Sequence, residues 1–173
     1  MKINSQEKVV KELLKILSEL NLERKKGIHE PYFNKIESAY VQKAVNSTYV
    51  STVGGFIEKF EKEIKKFTKS KYAVATVNGT SALHISMMTL GIGPNHEVLI
   101  PNLNYIGSSN ATIYCGASPH FIDVDSQNLG IDTNKLRDYL KKNTFTKSKQ
   151  TFNKQTLKKI VAIAPTIYKI NFK

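Results

Sequence analysis

The chain has 173 residues, 40% of them hydrophobic, which is enough for one ordinary core. It has no apolar run long enough to span a bilayer, and its first helical stretch carries charges throughout, unlike the core of a signal peptide, so we expect a cytoplasmic protein with no membrane partner. Its single cysteine, Cys115, excludes an internal disulfide, and its four histidines lack ligand spacing, so we expect no metal site.

The net charge of +12 is the unusual compositional feature, because a basic excess can indicate binding to nucleic acid or to an anionic surface. Many lysines follow a glutamate by four residues, as in Glu58/Lys62, which is typical of solvated helix faces. The densest basic stretch, Lys141 to Lys159, contains no acidic residue. We interpret residues 142–158 as a basic, linker-like insert, and a nucleic-acid patch is the less favoured alternative.

The first part of the chain is predicted to be helical. Apolar residues on one helical face predict an amphipathic helix over residues 6–20, and a second, short helix follows over residues 36–46. A loop over residues 51–55 precedes a third helix that ends near Lys69 and carries an apolar stripe of Phe56, Phe60, Ile64 and Phe67. We therefore expect an N-terminal helical arm over residues 1–55.

From Tyr72 onward the pattern changes to alternating strands and helices. The predicted strands cover residues 72–77, 97–100, 119–124 and 159–164, and the predicted helices cover residues 81–90, 106–115 and 133–141. This alternation predicts an α/β fold of three layers, in which helices cover both faces of a mostly parallel sheet. Ligands of such folds bind beyond the carboxyl ends of the strands.

The first of these strands meets the turn pair Asn78-Gly79, and Thr80-Ser81 open the next helix. The first backbone amides of a helix are unpaired and the helix dipole adds partial positive charge, so this junction is suited to a phosphate. In the simpler interpretation, Thr80 or Ser81 caps the helix and Gly79 only turns the chain.

A second loop, PNLNYIGSSNA over residues 101–111, follows the next strand. Pro101 ends the strand, Asn102 and Asn104 favour a turn, and the ring of Tyr105 could face a ligand that the Gly79–Ser81 loop holds. Alternatively, Tyr105 packs on the core with its hydroxyl in water.

Three segments in one order resemble the DegT/DnrJ/EryC1/StrS group of pyridoxal-phosphate-dependent sugar aminotransferases, which have the aspartate-aminotransferase fold (fold type I). The resemblance covers roughly residues 28–140, and the three segments read FIEKFEKEIKKFT, KYAVATVNGTSALHISMMTLGIGPNHEVLIPNLNYIGSSNA and GASPHFIDVDSQNLGID. HEPYFN (residues 29–34) and NSTYVSTVGGF (residues 46–56) further resemble the branch that aminates a nucleotide-linked 4-keto-6-deoxy sugar on the way to legionaminic-type surface sugars.

This resemblance implies that Gly79, Thr80 and Ser81 bind the phosphate of pyridoxal phosphate and that Tyr105 stacks on its ring. It implies a structural role for the aspartates of the FIDVD segment. Residues 56–165 would form part of the cofactor-binding large domain, and residues 166–173 diverge from the family as a frameshift or truncation product would.

The resemblance also implies limits on this chain. The family's Schiff-base lysine and the carboxylate at the pyridinium nitrogen match no residue here, so we assign no catalytic residue and expect this chain alone to be inactive. The implied partners of the intact enzyme are a nucleotide sugar, an amino donor such as glutamate, and a second subunit in a homodimer. The alternatives are a non-catalytic phosphate- or cofactor-binding or interaction module and, less favoured, a basic nucleic-acid-binding protein.

Overall fold

A computed structural model describes residues 5–19 and 31–166, in two compact units, Met1–Glu58 and Lys59–Lys173. The first unit contains α1 (Ser5–Glu19), α2 (Lys35–Asn46) and the start of α3 (Gly55–Thr68). These three helices lie where the sequence predicts them, and the predictions of α1 and α3 rest on hydrophobic periodicity. A capping box begins α2: the Asn34 side chain accepts from the amide of Ile36, and the Glu37 carboxylate accepts from the amide of Asn34 at 2.7 Å.

The second unit is an α/β layer built around a five-stranded sheet. Its elements are α4 (Gly79–Thr89), β1 (His96–Pro101), α5 (Gly107–Tyr114), β2 (Ser118–Ile122), α6 (Thr133–Asn143), β3 (Thr144–Lys147), β4 (Gln150–Asn153) and β5 (Lys159–Ile163). The strand order is β2-β1-β5-β4-β3. β1 runs parallel to both β2 and β5, whereas β4 is antiparallel to β5 and β3 is antiparallel to β4.

The core lies on either side of β1, whose Val98, Leu99 and Ile100 are almost completely buried. Val98 and Ile100 point to the face where they pack with Met87 of α4 and Ala111 of α5. On the other face α6 lies against β2, and the rings of Tyr139 and His120 are 5.2 Å apart. Helices therefore cover both faces, and the predicted α/β fold is confirmed.

The prediction of a strand over residues 72–77 is wrong. This segment belongs to no strand or helix, and Val74 and Val77 are 79% and 88% exposed. A strand needs a neighbouring strand to satisfy its backbone groups, and no strand in the described part of the chain lies beside this segment. The amide of Ala75 instead donates to the carboxylate of Glu61 at 2.9 Å.

The stretch over residues 142–158, predicted to be linker-like, contains ordered structure. It holds the end of α6 and the hairpin β3–β4, which extends the sheet at the β5 side. Ser148 and Lys149 form the two-residue turn with positive φ angles of 51° and 61°, and Phe145 and Phe152 stack at 5.5 Å. This aromatic pair on neighbouring strands stabilises the hairpin, although the lysine-rich composition of the stretch suggested a linker. Of the predicted divergent tail, residues 167–173 lie outside the described residues.

A buried polar cluster joins this hairpin to the sheet. The Glu97 carboxylate, 2% exposed, accepts hydrogen bonds from Asn153 at 3.0 Å and from Thr156 at 2.5 Å, and His120 Nδ1 lies 3.1 Å from it. Burial first, and then the negative charge of Glu97, raises the pKa of Tyr139 above its ordinary value, although a hydrogen bond with Asn153 opposes this. Because Glu97 has three polar partners, its burial is compensated.

Candidate functional site

The first part of the candidate site is the start of α4. Asn78 caps this helix, since its side-chain oxygen accepts from the amide of Ser81 at 2.8 Å while its backbone is extended. Asn78 is therefore the cap, and the alternative in which Thr80 or Ser81 caps the helix is not observed. The cap also means that the amide of Ser81 is already occupied.

The remaining hydrogen-bond donors at this helix end are open. In the described part of the chain, the amides of Gly79 and Thr80 and the hydroxyls of Thr80 and Ser81 have no hydrogen-bond partner. Gly79 is exposed, and a Cβ atom built on it would meet no atom within 4 Å. This geometry can receive an anion, because several donors and the positive end of the helix dipole converge there.

The second part of the site is the loop that follows β1. Asn104 donates to the hydroxyl of Ser108 at 3.1 Å, and α5 begins at Gly107, so a second helix starts next to the first. A Cβ atom built on Gly107 would lie 2.8 Å from Thr80 Oγ1 and 3.3 Å from Tyr105 Cδ1. Thr80 and Tyr105 thus approach the same point, and a side chain at position 107 would displace the Thr80 hydroxyl from its present position.

Tyr105 presents its ring to solvent, with 75% of the residue exposed. The interpretation of Tyr105 as a residue packed on the core is therefore wrong. Its ring is available as a flat apolar surface beside the unpaired donors of Thr80.

Sequence reasoning did not single out Gly107 or the capping role of Asn78. The Asn78-Gly79 pair was available as a turn signal, and asparagine is among the best N-cap residues, so the cap was detectable. The close approach at Gly107 was not, because it is a contact with Thr80, which is 27 positions away in the chain.

The other polar residues near these strand ends have structural roles. Asp125 accepts from the amides of Gln127 and Asn128 in a turn, and Asp123 accepts from Lys135 Nζ at 3.0 Å. Within residues 5–19 and 31–166, no three His, Cys, Asp or Glu side chains gather as metal ligands. None of the helices that the structure describes combines the length and the apolar content needed to cross a membrane.

A family model for the DegT/DnrJ/EryC1/StrS aminotransferases matches residues 31–161, which is most of the chain. The chain belongs to this family. The match includes α4, the loop after β1 and the start of α5, and therefore both parts of the candidate site.

Curated relatives within the family include two GDP-perosamine synthases. The Caulobacter vibrioides protein is 40% identical over 110 residues, and the Vibrio cholerae protein is 34% identical over 117 residues. These alignments cover 64% and 68% of this chain but only 30% and 32% of the relatives. A spore coat polysaccharide biosynthesis protein from Bacillus subtilis is 37% identical over 106 residues, and that alignment covers 61% of this chain and 27% of the relative. The chain thus spans about a third of the length of the relatives that it matches.

Solved structures agree with this assignment. A DegT/DnrJ/EryC1/StrS aminotransferase from Brucella abortus is 26% identical with a TM-score of 0.61, over 74% of this chain and 32% of that chain. The NtdA protein of Bacillus subtilis, solved with the bound cofactor PMP (pyridoxamine phosphate), is 26% identical with a TM-score of 0.55, over 68% of this chain and 29% of that chain. The fold of this chain is therefore part of the fold of this family of aminotransferases.

Proposed function

We propose that this chain is the amino-terminal, cofactor-binding part of a pyridoxal-phosphate-dependent aminotransferase that acts on a nucleotide-linked 4-keto-6-deoxy sugar. The product would enter surface polysaccharide or glycan biosynthesis. Because the chain spans about a third of its relatives, the reaction would also need groups that this chain does not contribute.

The observation that carries the proposal is the meeting of two helix N-termini at Gly107. This contact brings the unpaired donors of Thr80 and the exposed ring of Tyr105 to one point. An anion beside a flat ring is the shape of pyridoxal phosphate, so the residues present fit this cofactor.

Each residue would have a separate task in holding the cofactor. The amides of Gly79 and Thr80 and the hydroxyls of Thr80 and Ser81 would donate to the phosphate, and the ring of Tyr105 would stack on the pyridine and limit its rotation. When bound, pyridoxal phosphate would carry the amino group and accept electrons during the transfer. The chain's own contribution is therefore binding and orientation.

The choice of substrate is supported by the relatives and by the N-terminal segments. Three proteins named GDP-perosamine synthase are 34–40% identical to this chain. A Bacillus subtilis protein named 3-oxo-glucose-6-phosphate:glutamate aminotransferase is 32% identical over 87 residues, which supports glutamate as the amino donor. HEPYFN and NSTYVSTVGGF resemble the branch that acts on 4-keto-6-deoxy sugars. We further propose a cytoplasmic homodimer for the complete enzyme.

A ligand pair tests the cofactor site. Pyridoxamine phosphate is the better probe, because it has no aldehyde that could react with the many surface lysines. Pyridoxamine, which lacks the phosphate, is the matched control. In calorimetry with the full chain, we expect pyridoxamine phosphate to bind at least about tenfold more tightly. Equal affinity for both ligands would contradict a phosphate site at α4.

The enzymatic part of the proposal has an independent test. The DNA that follows the codon of Lys173 should encode, in one of its frames, an aspartate after further strands and then a lysine motif of the family. Binding of the cofactor by a chain whose gene lacks this continuation would favour the non-catalytic binding module.

A further inference from the structure

A cavity lies at the opposite end of the sheet from the candidate cofactor site. It has a volume of about 510 Å³ and opens where the hairpin turn and the starts of β1 and β5 meet the end of α4. Its polar lining comes from His96, Lys149, Gln150, Thr151 and Lys159. The proposed aminotransferase function leaves this cavity and the basic stretch around it without a role.

The cavity carries uncompensated positive charge. Lys149 is exposed and Lys159 is half-buried, and neither lysine pairs with a carboxylate within the described residues. No Asp or Glu belongs to the described lining. Glu97 is the neighbour of His96, but strand alternation directs its carboxylate to the other face, where Asn153 and Thr156 occupy it.

The neutral side chains add hydrogen-bond donors to this charge. His96 Nδ1 accepts from the amide of Gly93 at 3.1 Å, so the neutral ring carries its proton on Nε2 and is a donor there. Gln150 contributes a side-chain amide on the strand next to β5. Two lysines, an imidazole N–H and this amide form a donor-rich concave surface.

We propose that this cavity binds a small anion that carries a diphosphate group, either free or as part of a nucleoside diphosphate. The volume is within the range of small-ligand sites, which is about 300–1,000 Å³. A nucleic-acid backbone would instead need a long basic stripe, whereas here the two lysines line a single concave pocket. The site does not depend on the proposed cofactor site, because it lies about 16 Å away along β1, from His96 to Pro101.

The structure offers a matched pair of variants for the test. Lys149→Gln removes a charge from the cavity, and Lys147→Gln removes the same charge two residues away, on a side chain that does not line the cavity. With the isotope-labelled full chain, titration of inorganic pyrophosphate should shift the amide signals of Gly91, Thr151 and Ile160 in a saturable manner. We expect Lys149→Gln to weaken this binding about threefold and the half-buried Lys159→Gln about tenfold, while Lys147→Gln leaves it unchanged.

Further titrations distinguish a nucleotide from a free anion, and they include the results that would overturn the proposal. ADP that binds more tightly than pyrophosphate would support the site as a nucleotide site, and weaker binding of ADP would support it as a site for the free anion. An equal loss in Lys147→Gln would overturn the proposal, since it would show general charge attraction. Shifts confined to the start of α4, or oligonucleotide binding that pyrophosphate does not displace, would also overturn it.

Discussion

Replacement of Thr80 by valine is the sharpest test of the candidate cofactor site. Valine keeps the shape of the side chain and has a methyl group in place of the hydroxyl. The hydroxyl oxygen of Thr80 has no partner within the described residues and lies against Gly107. A hydrogen bond to a charged phosphate contributes about 1.5–3 kcal/mol. The dissociation constant of a phosphate ligand should therefore rise by about tenfold to a hundredfold in Thr80→Val.

Replacement of Tyr105 by alanine should separate the ring from the phosphate. Stacking of an aromatic side chain contributes about 0.5–1.5 kcal/mol, so the affinity for pyridoxamine phosphate should fall by up to about tenfold. Inorganic phosphate has no ring, and its affinity should stay unchanged. Because Tyr105 is largely exposed, we expect this replacement to leave the fold intact.

Calorimetric titration of both variants with both ligands gives four measurements. Thr89→Val is the control, since Thr89 ends the same helix and its hydroxyl donates to the carbonyl of Ile85 at 2.8 Å, far from the candidate site. Equal losses of both ligands in Tyr105→Ala would show that Tyr105 acts through folding. No loss in either variant would refute the site at α4.

Three further predictions concern stability, reactivity and activity. Glu97→Ala should lower the free energy of unfolding by about 3 kcal/mol in urea denaturation, because the buried partners of Glu97 lose their acceptor. The control Asp138→Ala, on the exposed face of α6, should change this free energy by no more than about 0.5 kcal/mol. Similar effects of the two replacements would contradict the buried cluster around Glu97. Burial raises the pKa of the Cys115 thiol, so less thiolate is present at neutral pH, and iodoacetamide should label Cys115 more slowly in the native chain than in urea, with a rate that increases with pH above neutrality. Purified chain with glutamate and a nucleotide-linked 4-keto sugar should form no amino sugar in a chromatographic assay, and measurable product would refute the assignment of no catalytic residue.

The sequence by itself determined the elements whose residues make their contacts nearby. Hydrophobic periodicity was enough for α1 and α3, because apolar residues recur on one face of each helix at a fixed interval. The alternation of β1, α5, β2 and α6 was enough for the α/β class. The family signal in the order of motifs also lies in the sequence, as the match over residues 31–161 confirms.

The tertiary structure decided the features that depend on distant partners. Residues 72–77 have the composition of a strand but no neighbouring strand within the described chain, so they join no sheet. Residues 144–153 have the charge of a linker but form a hairpin, because Phe145 stacks on Phe152 and Asn153 bonds to Glu97. Gly107 leaves the space that the Thr80 hydroxyl occupies where α5 meets α4. A local sequence pattern indicates the propensity and periodicity of a segment. The pairing of strands, the burial of side chains and close contacts between helices depend on residues that are far away in the chain.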